Sequence, residues 1–225
     1  MNVVLFGASG MVGQGVLREC LKDPSVQRVV SVARTQVDQQ HPKLVQLVQR
    51  DLFDLKPLEA QLGGLDACFF CLGVSSAGMS EEQYRHLTYD LTVSAAATLL
   101  RLNPGMSFIY VSGTGTDSTE QGKTMWARVK GATENALLRM PFKAAFMVRP
   151  GVILPLDGIK SKTRSYRMFY DVFGPLLKLV FRLRAGSMTT TEKLGLAMLN
   201  LARHGGAEAV LDGAAINAAA RQPAN

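Results

Sequence analysis

Cysteine is scarce, with three in 225 residues. So small and odd a count excludes a disulfide framework and points to a reducing compartment. Long apolar runs are absent too, and none approaches the length of a membrane-spanning helix. The first strand-like run starts at residue 2, so no signal peptide is expected and a cytoplasmic location is. Histidine is sparse: His41, His86 and His204 lack ligand spacing and read as surface residues. Cys68 and Cys71 have the outline of a metal motif, but they sit inside the strand-like run ACFFCLG. Residues three apart on a strand face opposite ways, so this pair reads as core and no metal is expected. Zinc-finger and RNA-binding signatures are missing, which argues against nucleic acid despite a net charge of +7. That charge suits an anionic cofactor or substrate, or a membrane surface, and by itself selects none of them.

The richest stretch is the first thirteen residues. Val3 to Phe6 form an unbroken apolar run, as expected for a strand covered on both faces. Gly7, Gly10 and Gly13 follow in GASGMVG, and a helix starts at once, with Val12, Val16 and Cys20 on its apolar side. Gly7 permits a sharp turn, Gly10 leaves the backbone open to a pyrophosphate, and Gly13 lets helix and strand pack closely. The amides of Met11 and Val12 then face the anion at the positive end of the helix. The alternative is an ordinary tight turn, but a second strand-like run beyond the helix supplies the context that the phosphate reading requires.

Strands are expected at Arg28–Ala33, Leu44–Val48, Ala67–Leu72, Ser107–Val111 and Ala144–Val148, with helices at about Glu81–Leu102 and up to Met140. Alternating strands and helices predict an α/β fold, a doubly wound parallel sheet of the Rossmann type, with ligand at the carboxyl ends of the strands. After the second strand, where an acidic residue would hold ribose hydroxyls, stands Arg34. A cation there suits the 2′-phosphate of NADP over NAD, with Ser9 as a second donor; the alternative is a solvated arginine. Asp51 either accepts from an adenine amine or serves as a loop aspartate.

The glycine loop, Arg34, Asp51, the Leu72-Gly73 turn, Ser112-Gly113-Thr114-Gly115, Lys130 in WARVKGATE and Arg149-Pro150-Gly151 together resemble the short-chain dehydrogenase/reductase superfamily. The stretch from CFFCLG to RPGVILP is most similar to the Tat-interacting-protein-like group of NADPH-binding oxidoreductases and to bacterial epimerase-like relatives. The resemblance implies that Gly7, Gly10 and Gly13 bind pyrophosphate and Arg34 the 2′-phosphate. It has Asp51 and Leu52 bordering adenine, with Leu72 and Gly73 also lining the cofactor. Lys130 would hold the nicotinamide ribose, and Pro150 and Gly151 would border the nicotinamide. The chain departs from the family at Trp126, where a proton-donating tyrosine is expected four residues before the lysine. An indole N–H does not give up its proton near neutral pH. The family's serine role falls to Ser112, to Thr114, or to neither.

Ile159 to Gly186 departs from the strand–helix rhythm and carries seven basic residues, among them Lys178, Arg182 and Arg184, against Asp171. It reads as a small basic helical C-terminal lobe, within a single domain whose residues 151–190 form a substrate-side lid. Tyr166 and Tyr170 there are candidate replacements for the missing tyrosine. Contact with anionic lipid is the less favoured alternative. Two functions remain: an oxidoreductase or epimerase-like enzyme on a small substrate, or a non-catalytic NADPH sensor acting through a partner protein.

Overall fold

The computed structural model describes residues 1–156 and 188–221. The expected basic lobe, with Tyr166 and Tyr170, therefore lies outside the described residues. In chain order the strands are β1 (Asn2–Phe6), β2 (Arg28–Ala33), β3 (Leu44–Val48), β4 (Ala67–Phe70), β5 (Ser107–Val111), β6 (Ala144–Val148), β7 (Ile153–Leu154), β8 (Thr189–Thr190) and β9 (Val210–Leu211). Seven of them make one sheet in the order β3-β2-β1-β4-β5-β6-β9, and each neighbouring pair is parallel. The strand order reverses between β1 and β4, the place where ligands bind in open α/β sheets.

Both sheet faces are dry, as the continuous apolar runs predict. On one face Val3, Leu5, Ala67, Phe69 and Ile109 pack against α1 (Met11–Lys22), α5 (Thr191–His204) and α6 (Gly213–Ala219). On the other, Val4, Phe6, Cys68, Phe70, Phe108 and Tyr110 meet α3 (Leu91–Leu102) and α4 (Met125–Arg139). Phe6 and Phe70 pair in register and stack at 5.1 Å, and Phe70 meets Phe108 at 5.8 Å. Cys68 belongs to this second layer while Cys71 packs against the first, the opposite-face geometry expected of residues three apart.

The long helix expected over Glu81–Leu102 is divided. α2 (Glu81–Arg85) opens with a capping box, in which Ser80 and Gln83 bond each other's backbone amides. A π-helical turn then spans His86–Asp90, with the Leu91 amide donating to the His86 carbonyl, before α3 resumes. The extra residue turns His86 onto Phe53, their rings 4.5 Å apart and nearly parallel.

β4 ends at Phe70, two residues earlier than expected: the Cys71 amide still donates to the Phe6 carbonyl at 3.0 Å, and the backbone of Cys71 and Leu72 then meets the glycine loop. Val210–Leu211 joins the main sheet beside β6 as its seventh strand. β7 and β8 form a separate parallel pair, so residues 153–154 and 189–190 lie side by side. Thr190 doubles as the N-cap of α5, accepting from the Lys193 amide at 3.1 Å.

At the amino edge, α3 ends on Asn103, whose buried amide closes three bonds. Its Oδ1 accepts from the Leu65 amide at 2.9 Å, and its Nδ2 donates to the carbonyls of Leu62 at 2.8 Å and Leu99 at 3.2 Å. Asn103→Ala strands the Leu65 N–H and the Leu62 carbonyl in a dry site, and is expected to cost about 2–3 kcal/mol. Urea unfolding measures it, and a loss below about 0.5 kcal/mol would mean that water replaces the amide.

Candidate functional site

Every candidate loop leaves the carboxyl end of a parallel strand, so the topology brings them to one edge of the sheet. Gly7 takes φ +85°, and a Cβ there would lie 2.7 Å from the Cys71 carbonyl carbon and oxygen. The loops after β1 and β4 are therefore pressed together at the switch point. A Cβ on Gly13 would lie 2.0 Å from the Gly7 carbonyl oxygen, so the start of α1 rests directly on the end of β1. Gly10 differs. Its amide donates to the Gly7 carbonyl at 2.9 Å, and its missing side chain faces open space but for that oxygen at 3.4 Å. It is the N-cap of α1 and has no side chain to bond the first amides, those of Met11 and Val12. The cradle thus fits the pyrophosphate of a dinucleotide: a closed floor, an open mouth, and backbone amides at the positive end of a helix. Ser9 borders it, its carbonyl accepting from Gln14.

Arg34 stands exposed just past β2, with no hydrogen bond or ion pair among the described residues. Asp51, past β3, uses Oδ1 to accept from the Phe53 amide at 2.9 Å in a local turn, and its carboxylate stays exposed. The Leu52 side chain is buried in the second core layer, which leaves its backbone as the part able to border adenine. Leu72 packs half-buried against that same layer, while Gly73 is open.

After β5 the arrangement departs furthest from expectation. Ser112 is buried, and its hydroxyl donates to Glu134, which is 1% exposed. Arg149, past β6, grips the same carboxylate: Nε donates to its two oxygens at 3.0 and 3.2 Å, and the terminal nitrogen pairs with Oε2. The Lys130 ammonium donates to the Ser112 carbonyl. Ser112 as a substrate-facing hydroxyl is thus corrected, since the group is turned inward and committed to Glu134. Thr114 keeps the exposed position, bonding the Arg149 carbonyl through Oγ1 at 3.2 Å and the Pro150 carbonyl through its amide at 2.9 Å. Pro150 itself is buried and Gly151 is open.

Trp126 is half-buried over the Ser112–Thr116 loop, where a Cβ on Gly115 would come within 3.2 Å of its ring. Directly after Lys130, Gly131 leaves space for the Asp117 carbonyl, which a Cβ would meet at 1.7 Å. α4 is thereby clamped to the 112–124 segment. Burial lowers the Lys130 ammonium to about 8, against a smaller opposing pull from Glu134. A folded amine that releases its proton before an unfolded one, whose value is 10.5, adds stability as pH rises between those values. Sequence reasoning missed Glu134, although Trp126, Lys130 and Glu134 recur every four residues on one helix face.

With this geometry in hand, comparison with known proteins is direct. The NAD(P)H-binding family matches residues 7–149, more than half of the chain, and the chain belongs to that family. A nicotinamide dinucleotide is accordingly the ligand class of the site. Among curated proteins, the chain is 27% identical to protein fmp52, mitochondrial, of Emericella nidulans, over 88% of this chain and 86% of that one. It is 28% identical to protein FMP52, mitochondrial, of Eremothecium gossypii, over 68% and 67%. These names overturn the cytoplasmic location expected from cysteine usage, because a low cysteine count reports a reducing environment and not an address.

Among solved structures, the Bordetella bronchiseptica enzyme WbmH in complex with NAD⁺ shares the fold, with a TM-score of 0.65 at 14% identity over 90% of this chain and 72% of that one. The short-chain dehydrogenase/reductase YIR035C of Saccharomyces cerevisiae matches with a TM-score of 0.63 at 14% identity, over 95% and 94%. The likeness to these structures is one of fold.

Arg149→Ala leaves the Glu134 carboxylate buried and unpaired. It is expected to cost about 3 kcal/mol in urea unfolding, the low end for a broken buried pair, since Arg149 is partly open to solvent. Arg101→Ala breaks the exposed pair with Glu59 and should barely move the midpoint. Equal effects of the two would show that the Glu134 site admits water.

Proposed function

We propose that the chain binds NADP(H) in preference to NAD(H) and acts as an oxidoreductase or epimerase-like enzyme on a small substrate. The observation that supports this reading is the Gly7–Gly13 cradle at the switch point, with exposed Arg34, unpaired among the described residues, at the next strand end. Gly7, Gly10 and Gly13 would carry the pyrophosphate with the amides of Met11 and Val12. Arg34, with Ser9 beside it, would take the 2′-phosphate. Asp51 and the open Gly73 would border adenine. Lys130 would hold the nicotinamide ribose, with Gly151 and Thr114 lining the nicotinamide end. When bound, the cofactor supplies or accepts a hydride; the protein's part is to orient the two reactants and exclude water. By likeness to the curated relatives, we also propose that it works at mitochondria.

Trp126 favours a second reading. With an indole at the tyrosine position and the Ser112 hydroxyl turned inward, neither usual proton-handling group faces the cleft. A non-catalytic NADPH sensor acting through a partner protein would need only the cradle, Arg34 and Lys130. The single domain with residues 151–190 as a substrate-side lid remains part of the enzyme reading, as does a tyrosine supplied from Tyr166 or Tyr170.

Two measurements test these readings. Calorimetry is expected to show NADPH binding tighter than NADH, with Arg34→Ala removing about 1.5–3 kcal/mol from NADPH alone. Because the exposed Arg34 side chain makes no hydrogen bond or ion pair among the described residues, its loss should leave thermal stability nearly unchanged. Equal affinities in the wild type would refute its role. Trp126→Tyr restores an ionisable donor one turn from Lys130 and should raise NADPH-dependent carbonyl reduction, within the roughly 10²–10⁴-fold that general acid catalysis supplies. Tight NADPH binding with no turnover in either protein, against aldehydes, ketones and quinones, would favour the sensor.

A further inference from the structure

Glu134 has no place in the roles assigned above, yet it is the most enclosed charge in the site, at 1% exposure. It lies one helical turn after Lys130, and its carboxylate gathers the Ser112 hydroxyl and the Arg149 guanidinium. Ser112 is bonded twice, by its hydroxyl to Glu134 and by its carbonyl to the Lys130 ammonium. Its amide also donates to the Val148 carbonyl at 2.9 Å, tying β5 to β6 just where Arg149 begins. Hydroxyl, carbonyl and amide of this one residue are thus each held by a different residue. A carboxylate this deep needs its partners, and the group that benefits besides Arg149 is the lysine.

We propose that Glu134 is a positioning residue for Lys130: through Ser112 it fixes the carbonyl that the ammonium donates to, and it supplies the negative charge, one turn away, that keeps the ammonium at the cleft. The inference rests on the reading of Lys130 as the cofactor's ribose anchor. It also accounts for the inward Ser112 hydroxyl, which serves the anchor and not the substrate.

The charged and titratable groups around this pocket come from every packed element. Glu134 stands on α4 with Lys130, Arg149 follows β6, and Asp117 lies in the loop held by Gly131. Burial pushes the Tyr110 phenol on β5 further above its ordinary value, with smaller pushes from Tyr84 of α2 and from Glu134. Arg149 is held charged by Glu134 and Asp117. Of these, Glu134 is the one whose charge acts on Lys130, pulling its proton affinity up against burial.

The test uses the whole chain and two substitutions, Glu134→Gln and Glu134→Asp. The proton-release midpoint of Lys130 is read in cofactor-free protein by competitive acylation across pH with mass-spectrometric detection. The expected wild-type midpoint is about 8. It falls in folded Glu134→Gln, and in Glu134→Asp it returns toward wild type. NADPH affinity at neutral pH should weaken about fivefold in the Gln variant, the size of one net hydrogen bond, with recovery in the Asp variant. Should Glu134→Gln fail to fold, Glu134→Gln combined with Arg149→Gln removes both charges, and the Lys130 midpoint must fall there as well.

An unchanged midpoint in either folded Gln variant overturns the proposal. So does an equal fall in Glu134→Asp, which would assign the effect to packing. Wild-type protein that shows the expected midpoints but binds no NADPH would sink the cofactor role of Lys130 and leave its coupling to Glu134 standing.

Discussion

The carbonyl oxygen of Gly7 occupies the space that a side chain on residue 13 would need, and the rest of the carboxyl edge is built outward from that contact. It presses the start of α1 onto the end of β1 and directs the first helical amides outward over the loop. The same Gly7 turns at positive φ against the Cys71 carbonyl, so the loop after β4 becomes the opposite wall. A turn pressed between two strand ends keeps its shape only if the strands themselves do not move. The two dry core layers provide this, with the Phe6–Phe70–Phe108 stack on one face and α1 and α5 on the other.

The loops after β5 and β6 are ordered by charge as well as by the close approach of Gly131 to the Asp117 carbonyl. A carboxylate at 1% exposure is held by an arginine from the neighbouring strand end and by a serine hydroxyl, and the lysine one turn away shares that serine. Such a cluster is rigid because each member would be left unpaired by the movement of another. The half-buried Trp126 packs on the loop that carries this serine. The edge therefore offers a well-made cofactor seat beside a poorly equipped acid. That imbalance, which lies at Trp126 and the inward Ser112 hydroxyl, separates the enzyme reading from the sensor reading.

Relatives named as mitochondrial changed one expectation for an instructive reason. Composition reports the redox state a chain tolerates, and a reducing interior is not confined to one compartment. Location depends on signals read by other machinery, which hydrophobic periodicity and cysteine spacing do not encode.

Much of this protein was legible in its residues taken in order. The six longer strands, the three glycines with their separate reasons, and Arg34, Asp51 and Lys130 at strand ends or on a helix beside them follow from local rules. Continuous apolar runs demand two covered faces, and a glycine triplet between strand and helix demands a turn open to an anion. The opposite-face placement of Cys68 and Cys71 follows equally from the two-residue repeat of a strand. Tertiary structure decided what depends on distant partners. Burial of the Ser112 hydroxyl needs Glu134 and Arg149 brought from 22 and 37 residues away. The entry of Val210–Leu211 into the sheet needs a free edge on β6, and the pairing of Ile153–Leu154 with Thr189–Thr190 spans more than thirty residues. The inward turn of Leu52 and the π-helical step at His86 likewise answer to the packing around them. Local pattern settles which face of an element is apolar, whereas the partner that a buried polar group finds is settled only when the chain closes around it.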